Sequence, residues 1–201
     1  MPIRLDYRLI EKYIEPGSRV LDLGCGTGEL LEELIREKDV DGTGIDIDRE
    51  AAQECVQRGV PLYHGDMLEG MSMFSDNSFD CVVLSQTLQQ AMKPAKVVRE
   101  MMRVGKKAVI SFPNYGYWRV RLNLLFRGRK PVTPLLNHPW HSTPNIHMLT
   151  IKDFLHFCRT SGYEVSDAIY LTEKYNTVPG FLANWFASMA IFVLKNDTAR
   201  D

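Results

Sequence analysis

The chain has 201 residues, of which 45% are hydrophobic and 24% are charged, and its formal net charge is −1. These values are typical of one globular domain, and they exclude wholesale disorder, collagen and coiled coil. The chain contains no run of 18 apolar residues and no apolar signal core at its start, so we expect a cytoplasmic protein without a membrane span. Four scattered cysteines without a CxxC pair predict reduced, packed thiols.

The charged residues are distributed unevenly along the chain. Residues 101–152 contain nine bases and no acid, whereas residues 1–100 contain 19 acids and 11 bases. The basic stretch has two interpretations, either an ordinary solvated face or a surface that meets an acidic partner or an anionic ligand. Because the chain as a whole is slightly negative and no RNA-binding module is visible, we do not expect nucleic acid as the partner.

Apolar runs and amphipathic stretches alternate along the sequence. Apolar runs predict strands at residues 19–23, 44–47, 62–64, 81–85, 108–112, 165–171 and 189–194. Helical spacing predicts helices at residues 5–14, 29–38, 49–58, 95–104, 118–126 and 150–158, the last opened by a capping box at Thr150 and Asp153. This alternation predicts a three-layer α/β fold in one domain spanning residues 1–201, with a mostly parallel sheet. Residues 113–149 interrupt the pattern and are interpreted as an insertion after the fifth strand.

A glycine-rich loop follows the first predicted strand and leads into a helix. No Lys-Ser or Lys-Thr pair follows the last glycine, and the glycine spacing differs from GxGxxG, so neither the NTPase loop nor the usual dinucleotide loop fits. Asp22 and Glu29 flank the loop, and their charges would repel a pyrophosphate but attract a cationic ligand. These features favour S-adenosylmethionine (SAM) over NAD. The loop residues predicted to bind it are Asp22, Gly24, Cys25, Gly26 and Gly28.

Further carboxylates lie at the end of the second predicted strand and just after the third. Asp46 is placed to accept hydrogen bonds from ribose hydroxyls, and Asp66 to accept from the adenine amino group while Met67 packs on the ring. Each acid taken alone could equally be a turn or helix-cap residue. Ile47, beside Asp46, and Ser85, at the end of the fourth strand, complete the predicted cofactor site.

These motifs carry a family resemblance. The loop from Asp22 to Gly28, Asp46, Asp66 and residues 80–85 resemble the successive motifs of class I SAM-dependent methyltransferases. Residues 137–140, 145–147 and 150–154 (NHPW, NIH and TIKDF) are similar to the MetW family of methionine-biosynthesis proteins. The resemblance implies a Rossmann-like sheet of seven strands with an antiparallel last strand. It also implies that the protein works with homoserine O-acetyltransferase.

The acceptor side of the site is less well defined by the sequence. His147, His141 and Tyr115, all in the insertion, are the candidate catalytic residues, because a base is needed when the methyl acceptor must lose a proton. His138 and His141 lack a third ligand at suitable spacing, so we expect no metal site. Two functions stay open: a methyltransferase that acts on an unidentified acceptor, yielding S-adenosylhomocysteine, and a non-catalytic SAM-binding regulatory or accessory subunit of the acetyltransferase.

Overall fold

The structure is a computed structural model that describes residues 5–195. Residues 1–4 and 196–201 lie outside the described part of the chain. The prediction that the chain starts without an apolar signal core therefore falls partly on residues outside it. One sheet of seven strands organises the chain, in the order β3-β2-β1-β4-β5-β7-β6. The strands are β1 Arg19–Leu23, β2 Asp41–Asp46, β3 Leu62–His64, β4 Cys81–Ser85, β5 Lys107–Pro113, β6 Glu164–Leu171 and β7 Met189–Lys195.

The sheet has the predicted mixed topology. Strands β1 to β5 pair in parallel, and β7 runs antiparallel between β5 and β6. The register sets Leu23 opposite Ile45, Asp46 opposite His64, and Ser85 opposite Ser111. The carboxyl ends of the parallel strands therefore lie along one edge of the sheet, where open α/β sheets bind their ligands.

Eight α-helices within residues 5–195 connect these strands. They are α1 Leu5–Glu11, α2 Glu29–Lys38, α3 Arg49–Gln57, α4 Met67–Ser72, α5 Pro94–Val104, α6 Trp118–Arg127, α7 Ile151–Ser161 and α8 Gly180–Phe186. A 3₁₀ turn at Leu88–Gln90 follows β4. In this part of the chain no helix combines the length and the apolar character needed to cross a bilayer.

Two apolar clusters cover the two faces of the sheet. The cluster on one face contains residues from α4, α5, α7 and α8, whereas the other contains residues from α1, α2 and α3. Neighbouring residues of β1 point to opposite clusters, Val20 to the second and Leu21 to the first. This arrangement confirms the three-layer prediction. The four cysteines are buried free thiols within these layers.

A buried asparagine organises the chain after β5. The side chain of Asn114 donates to the carbonyl of Ala187 at 2.8 Å and accepts from the N–H groups of Gly116 at 2.9 Å and Ile151 at 3.3 Å. It therefore ties the segments that precede α6, α7 and β7 to the end of β5. Residues 113–149, which were predicted as an insertion, begin with the last residue of β5 and contain α6 and the segment 128–149, which has no regular secondary structure.

Candidate functional site

A cavity of about 500 Å³ opens at the carboxyl edge of β1, β2 and β4. Its volume lies within the range of about 300–1,000 Å³ that is usual for small-molecule sites. Nine of the ten residues predicted to bind the cofactor line it: Asp22, Gly24, Cys25, Gly26, Asp46, Ile47, Asp66, Met67 and Ser85. The sheet register brings them together from four separate stretches of sequence.

The glycine loop needs its glycines for two different reasons. Gly24 and Gly26 both have positive φ, at 67° and 55°, a conformation that glycine adopts without steric cost. A Cβ atom on Gly24 would lie 2.7 Å from the side chain of Thr87, whereas one on Gly26 would meet no protein atom within 4 Å. Gly26 therefore leaves open space beside the cavity, where a ligand can approach the backbone closely.

Gly28, the tenth predicted residue, is not among the residues that line the cavity. It is the N-cap of α2, with a φ of 78°, and a Cβ atom there would lie 2.6 Å from the sulfur of Cys55. Gly28 thus lets α2 pack closely against α3. The thiol of Cys25 also points into the protein, because a Cβ on Gly44 would lie 2.5 Å from its sulfur. Burial, followed by the charge of Asp22, raises the pKa of the Cys25 thiol and keeps it neutral.

Asp46 joins the end of β2 to the glycine loop. One carboxylate oxygen, Oδ2, accepts from the N–H of Gly26 at 2.6 Å, and the other, Oδ1, accepts from the N–H of Asp48 at 2.8 Å. Asp48 in turn caps α3. Because each carboxylate oxygen has two acceptor positions, Asp46 keeps acceptor capacity for ligand hydroxyls while it holds the loop.

Asp66 combines two of the roles that the sequence left open. Its Oδ1 accepts from the N–H of Leu68 at 2.7 Å, which makes Asp66 the N-cap of α4. It also lines the cavity together with Met67. Capping and ligand contact are compatible here, because the cap uses only one of the two carboxylate oxygens.

The cavity is strongly acidic. Four carboxylates line it, those of Asp22, Glu29, Asp46 and Asp66, and within residues 5–195 the lining contains no Lys, Arg or His. Asp22 is only 3% exposed, so its surroundings screen its charge poorly. The guanidinium of Arg58 lies 3.9 Å from the carboxylate of Glu29. Such a site favours a cationic ligand and disfavours a pyrophosphate.

The residues that close the cavity on the β4 side are not among the predicted site residues. Gln86, Thr87 and Gln90 line the cavity, as does Tyr7 from α1. Gln86 has a positive φ of 53°, and its side-chain amide donates to the carboxylate of the fully buried Asp6 at 2.8 Å. This bond ties α1 to the end of β4 beside the cavity. No sequence signal predicts it, since the two residues are 80 positions apart.

Asp80 lies at the opposite end of β4 from the cavity, although it belongs to the segment that resembles a methyltransferase motif. Its carboxylate accepts from Lys106 Nζ at 2.8 Å and from the N–H of Arg19 at 2.9 Å. These two hydrogen bonds hold the pKa of Asp80 below its usual value. Its role is therefore to join β1, β4 and the start of β5.

Comparison with known proteins identifies the family. The family model described as "Methionine biosynthesis protein MetW" matches residues 4–194. The chain belongs to the MetW family.

One relative carries the name of this family, and another is a methyltransferase. A bifunctional methionine biosynthesis protein MetXA/MetW from Rhodopirellula baltica is 35% identical over 160 residues, which are 75% of this chain and 26% of that protein. A demethylmenaquinone methyltransferase from Listeria welshimeri is 35% identical over 136 residues, 59% of this chain and 56% of that enzyme. This MetW chain therefore spans about a quarter of the first relative and about half of the second.

The solved structures show the fold. A SAM-dependent methyltransferase from Archaeoglobus fulgidus superposes with a TM-score of 0.71 at 17% identity, covering 95% of this chain and 91% of that one. The [4+2]-cyclase SpnF superposes with a TM-score of 0.67 at 18% identity, covering 94% of this chain and 79% of that one. This chain thus has the class I SAM-dependent methyltransferase fold, which the cyclase SpnF shares.

The three candidate catalytic residues of this MetW chain lie apart from the cavity. Within residues 5–195, Tyr115, His141 and His147 are absent from the lining. Tyr115 is buried in a small cluster with Tyr117, where burial raises its pKa, and His141 is exposed beside the ring of Trp140.

His147 lines a different, apolar cavity of about 210 Å³, between the 3₁₀ turn, α5 and α7. Its Nε2 lies 3.0 Å from the carbonyl oxygen of Ala91 and therefore carries the proton. The backbone N–H groups of Ile146 and His147 also donate to Gln89, so this segment runs beside the 3₁₀ turn. The catalytic assignment of the three residues stays a prediction that no contact in the cavity supports.

No group of three or more His, Cys, Asp or Glu residues within residues 5–195 is arranged to hold a metal ion.

Proposed function

We propose that this MetW-family protein binds SAM in the acidic cavity and acts with homoserine O-acetyltransferase in methionine biosynthesis. One observation carries the first part: four carboxylates and a positive-φ glycine loop line a single cavity at the carboxyl edge of the sheet. SAM carries a sulfonium and an ammonium group, and both are attracted by clustered carboxylates in poorly solvated surroundings.

The residues present fit the parts of SAM. Asp46 would accept the ribose hydroxyls, and the open space at Gly26 leaves room beside the loop. Ile47, 72% exposed, and Met67 offer apolar surface to the adenine. Asp22 and Glu29 place negative charge where the methionine part would lie.

Bound SAM supplies a methyl group on an already activated sulfur. The chain's own contribution is to bind and orient, because the sulfonium needs no further activation. Within the described residues the lining offers no histidine or lysine as a base. The groups of the lining that could take a proton from an acceptor are therefore its carboxylates, and the arrangement equally suits a subunit that binds SAM without turning it over.

The partnership with the acetyltransferase rests on the family and on one relative. In the Rhodopirellula baltica protein, the matched part is 26% of a longer chain named MetXA/MetW. A fusion of this kind holds the two parts at a high effective concentration. It therefore supports the proposal that the corresponding separate proteins associate.

Calorimetry with purified protein tests the SAM site. We expect SAM and S-adenosylhomocysteine to bind and NAD, which carries a pyrophosphate, to bind far more weakly. Asp46→Ala should weaken SAM binding about 5- to 150-fold, because it removes a charged hydrogen-bond acceptor worth about 1–3 kcal/mol. Asp41→Ala is the matched control, since Asp41 is an exposed acid at the other end of the same strand. Equal effects of the two substitutions, or preference for NAD, would refute the site.

Methyl transfer is the second candidate function, favoured by the 35% identity to a demethylmenaquinone methyltransferase. Its test is formation of S-adenosylhomocysteine when the protein is incubated with SAM and either homoserine, O-acetylhomoserine or the purified acetyltransferase. Turnover that is lost in Asp46→Ala would establish an enzyme. Tight SAM binding without turnover would favour the accessory role.

A further inference from the structure

Helices α6 and α8 expose an unusual number of large apolar side chains. Phe181 is 88% exposed, Phe126 77% and Leu125 73%, and Trp185 is also exposed. Single exposed apolar residues are common, but a cluster of aromatic and aliphatic side chains on neighbouring elements marks an interaction surface. We call Phe181 and Trp185 of α8 with Leu125 and Phe126 of α6 the α6–α8 surface.

The two helices form one continuous surface. The guanidinium of Arg121 in α6 lies over the ring of Trp185 in α8, 4.7 Å from the ring centroid. Leu125 lies four residues after Arg121, and Phe181 lies four residues before Trp185, so each pair shares a helix face. The row Phe181, Trp185, Arg121 and Leu125 therefore crosses from one helix to the other. Tryptophan and arginine are also the residues that contribute most at protein interfaces.

Basic residues border the α6–α8 surface on one side. Arg127 and Arg129 at the end of α6 are exposed, and Lys130 follows them. No acidic residue occurs between residues 101 and 152, and the ion pair of Glu173 with α6 is with Arg119. A partner that covers the apolar row would gain from carboxylates facing these bases.

The location of the surface relates it to the SAM cavity. Helix α6 follows the carboxyl end of β5, and α8 precedes β7, whose first residue Met189 pairs with Pro113 at that same end. The α6–α8 surface therefore lies on the edge of the sheet that carries the cavity, beyond β4 on the side of β5 and β7. A partner seated there would be a neighbour of the SAM site.

We propose that the α6–α8 surface is where homoserine O-acetyltransferase docks, through an apolar patch bordered by acidic residues on that enzyme. The inference rests on the partnership proposed above and adds the place of contact. A second copy of this chain fits less well, since a symmetric contact would set the basic borders against each other. The fused relative is the observation that selects the acetyltransferase among acidic partners.

The test measures affinity for the purified acetyltransferase by calorimetry with the full chain. Leu125→Glu and Phe181→Glu each place a like charge opposite the partner's acids and remove apolar area, and each should weaken binding at least tenfold. The double variant Arg127→Glu/Arg129→Glu should also weaken binding to the acetyltransferase. Its effect should be larger at low salt than at high salt, because salt screens the repulsion between like charges. Val56→Glu on α3 is the matched control, a helical apolar residue that is 59% exposed, and it should leave the affinity unchanged.

The possible outcomes separate this inference from the proposed function. SAM affinity measured on every variant reports that the fold is intact. If the wild-type chain binds the acetyltransferase and the α6–α8 variants bind it equally well, the docking surface is wrong and the partnership stands. If the wild-type chain does not bind the acetyltransferase, the partnership is wrong. Two further outcomes would overturn the inference if the chain does not bind the acetyltransferase. Binding to anionic phosphatidylglycerol vesicles that is lost in the α6–α8 variants would indicate a membrane surface. Self-association that is lost in the same variants would indicate a dimer.

Discussion

Gly26 and Gly28 differ by two positions in the sequence and have different roles in the structure. Both have positive φ, but a Cβ atom on Gly26 meets open space, whereas one on Gly28 meets the sulfur of Cys55 at 2.6 Å. The first glycine therefore lines the cavity in which we propose that SAM binds, and the second lets α2 pack closely on α3.

This difference predicts opposite phenotypes for matched substitutions. Gly26→Ala should lower the free energy of unfolding by only the cost of a left-handed alanine, about 1–2 kcal/mol, but reduce SAM affinity at least tenfold. Gly28→Ala carries the same backbone cost plus the clash with Cys55, so it should destabilise the protein more while changing SAM affinity less. Urea denaturation and calorimetry measure the two quantities. Normal SAM binding by Gly26→Ala would contradict the assignment of this glycine to the ligand site.

The position of a single residue could be predicted from the sequence where its distance from the end of a strand determines where it lies in the fold. The positions of Asp46 and Asp66 could be predicted, because an acid at or just beyond the carboxyl end of a parallel strand lies at the shared edge. Asn114 and the Gln86–Asp6 pair could not, since their partners are brought together only by tertiary packing. The histidines of the insertion were expected near the methyl donor, but hydrogen bonds to Gln89 and Ala91 hold His147 beside the 3₁₀ turn instead.

At the level of elements, strand prediction was accurate because the buried strands are short apolar runs with clear boundaries. Strands β1, β3 and β4 have the predicted limits. Strand β2 ends one residue earlier than predicted, and it begins three residues earlier because Asp41, Gly42 and Thr43 extend its pairing with β1. Helices α4 and α8 were not predicted. Each has only six or seven residues, too short for an apolar period to stand out.

Helix α7 begins with the capping box that was predicted from the sequence. The Thr150 hydroxyl accepts from the N–H of Asp153 at 3.2 Å, and the Asp153 carboxylate accepts from the N–H of Thr150 at 3.2 Å, which together form a capping box. Thr150→Ala should therefore lower the free energy of unfolding by about 1 kcal/mol.

The control for this cap is Thr160→Ala at the other end of the same helix. The Thr160 hydroxyl is exposed and donates to the carbonyl of His156 at 3.0 Å, so its loss should change stability by less than about 0.5 kcal/mol. Urea titration monitored by circular dichroism compares the two variants. Equal stabilities for Thr150→Ala and Thr160→Ala would show that the box contributes nothing.

On the scale of the whole molecule, charge and topology separate two surfaces along one edge of the sheet. The acidic cavity lies over β1, β2 and β4, and the basic and apolar α6–α8 surface lies toward β5 and β7. Between them run the ends of β4 and β5, joined by the hydrogen bonds from the N–H of Gln86 to Ser111. Gln86 also lines the cavity, so a ligand there contacts a residue anchored on β5.

This proximity predicts that SAM and the acetyltransferase influence each other's binding. Linkage requires that SAM change the affinity for the acetyltransferase by the same factor as the acetyltransferase changes the affinity for SAM, and such factors are typically about 5 to 150. Calorimetric titrations of each ligand, with and without a saturating amount of the other, measure both factors. The Asp46→Ala variant is measured at a SAM concentration that saturates the wild-type protein. Because a smaller fraction of the variant then holds SAM, the effect of SAM on its affinity for the acetyltransferase should be smaller in the same proportion. Identical acetyltransferase affinities with and without SAM would show that the two surfaces act independently, and would remove SAM as a regulator of the complex.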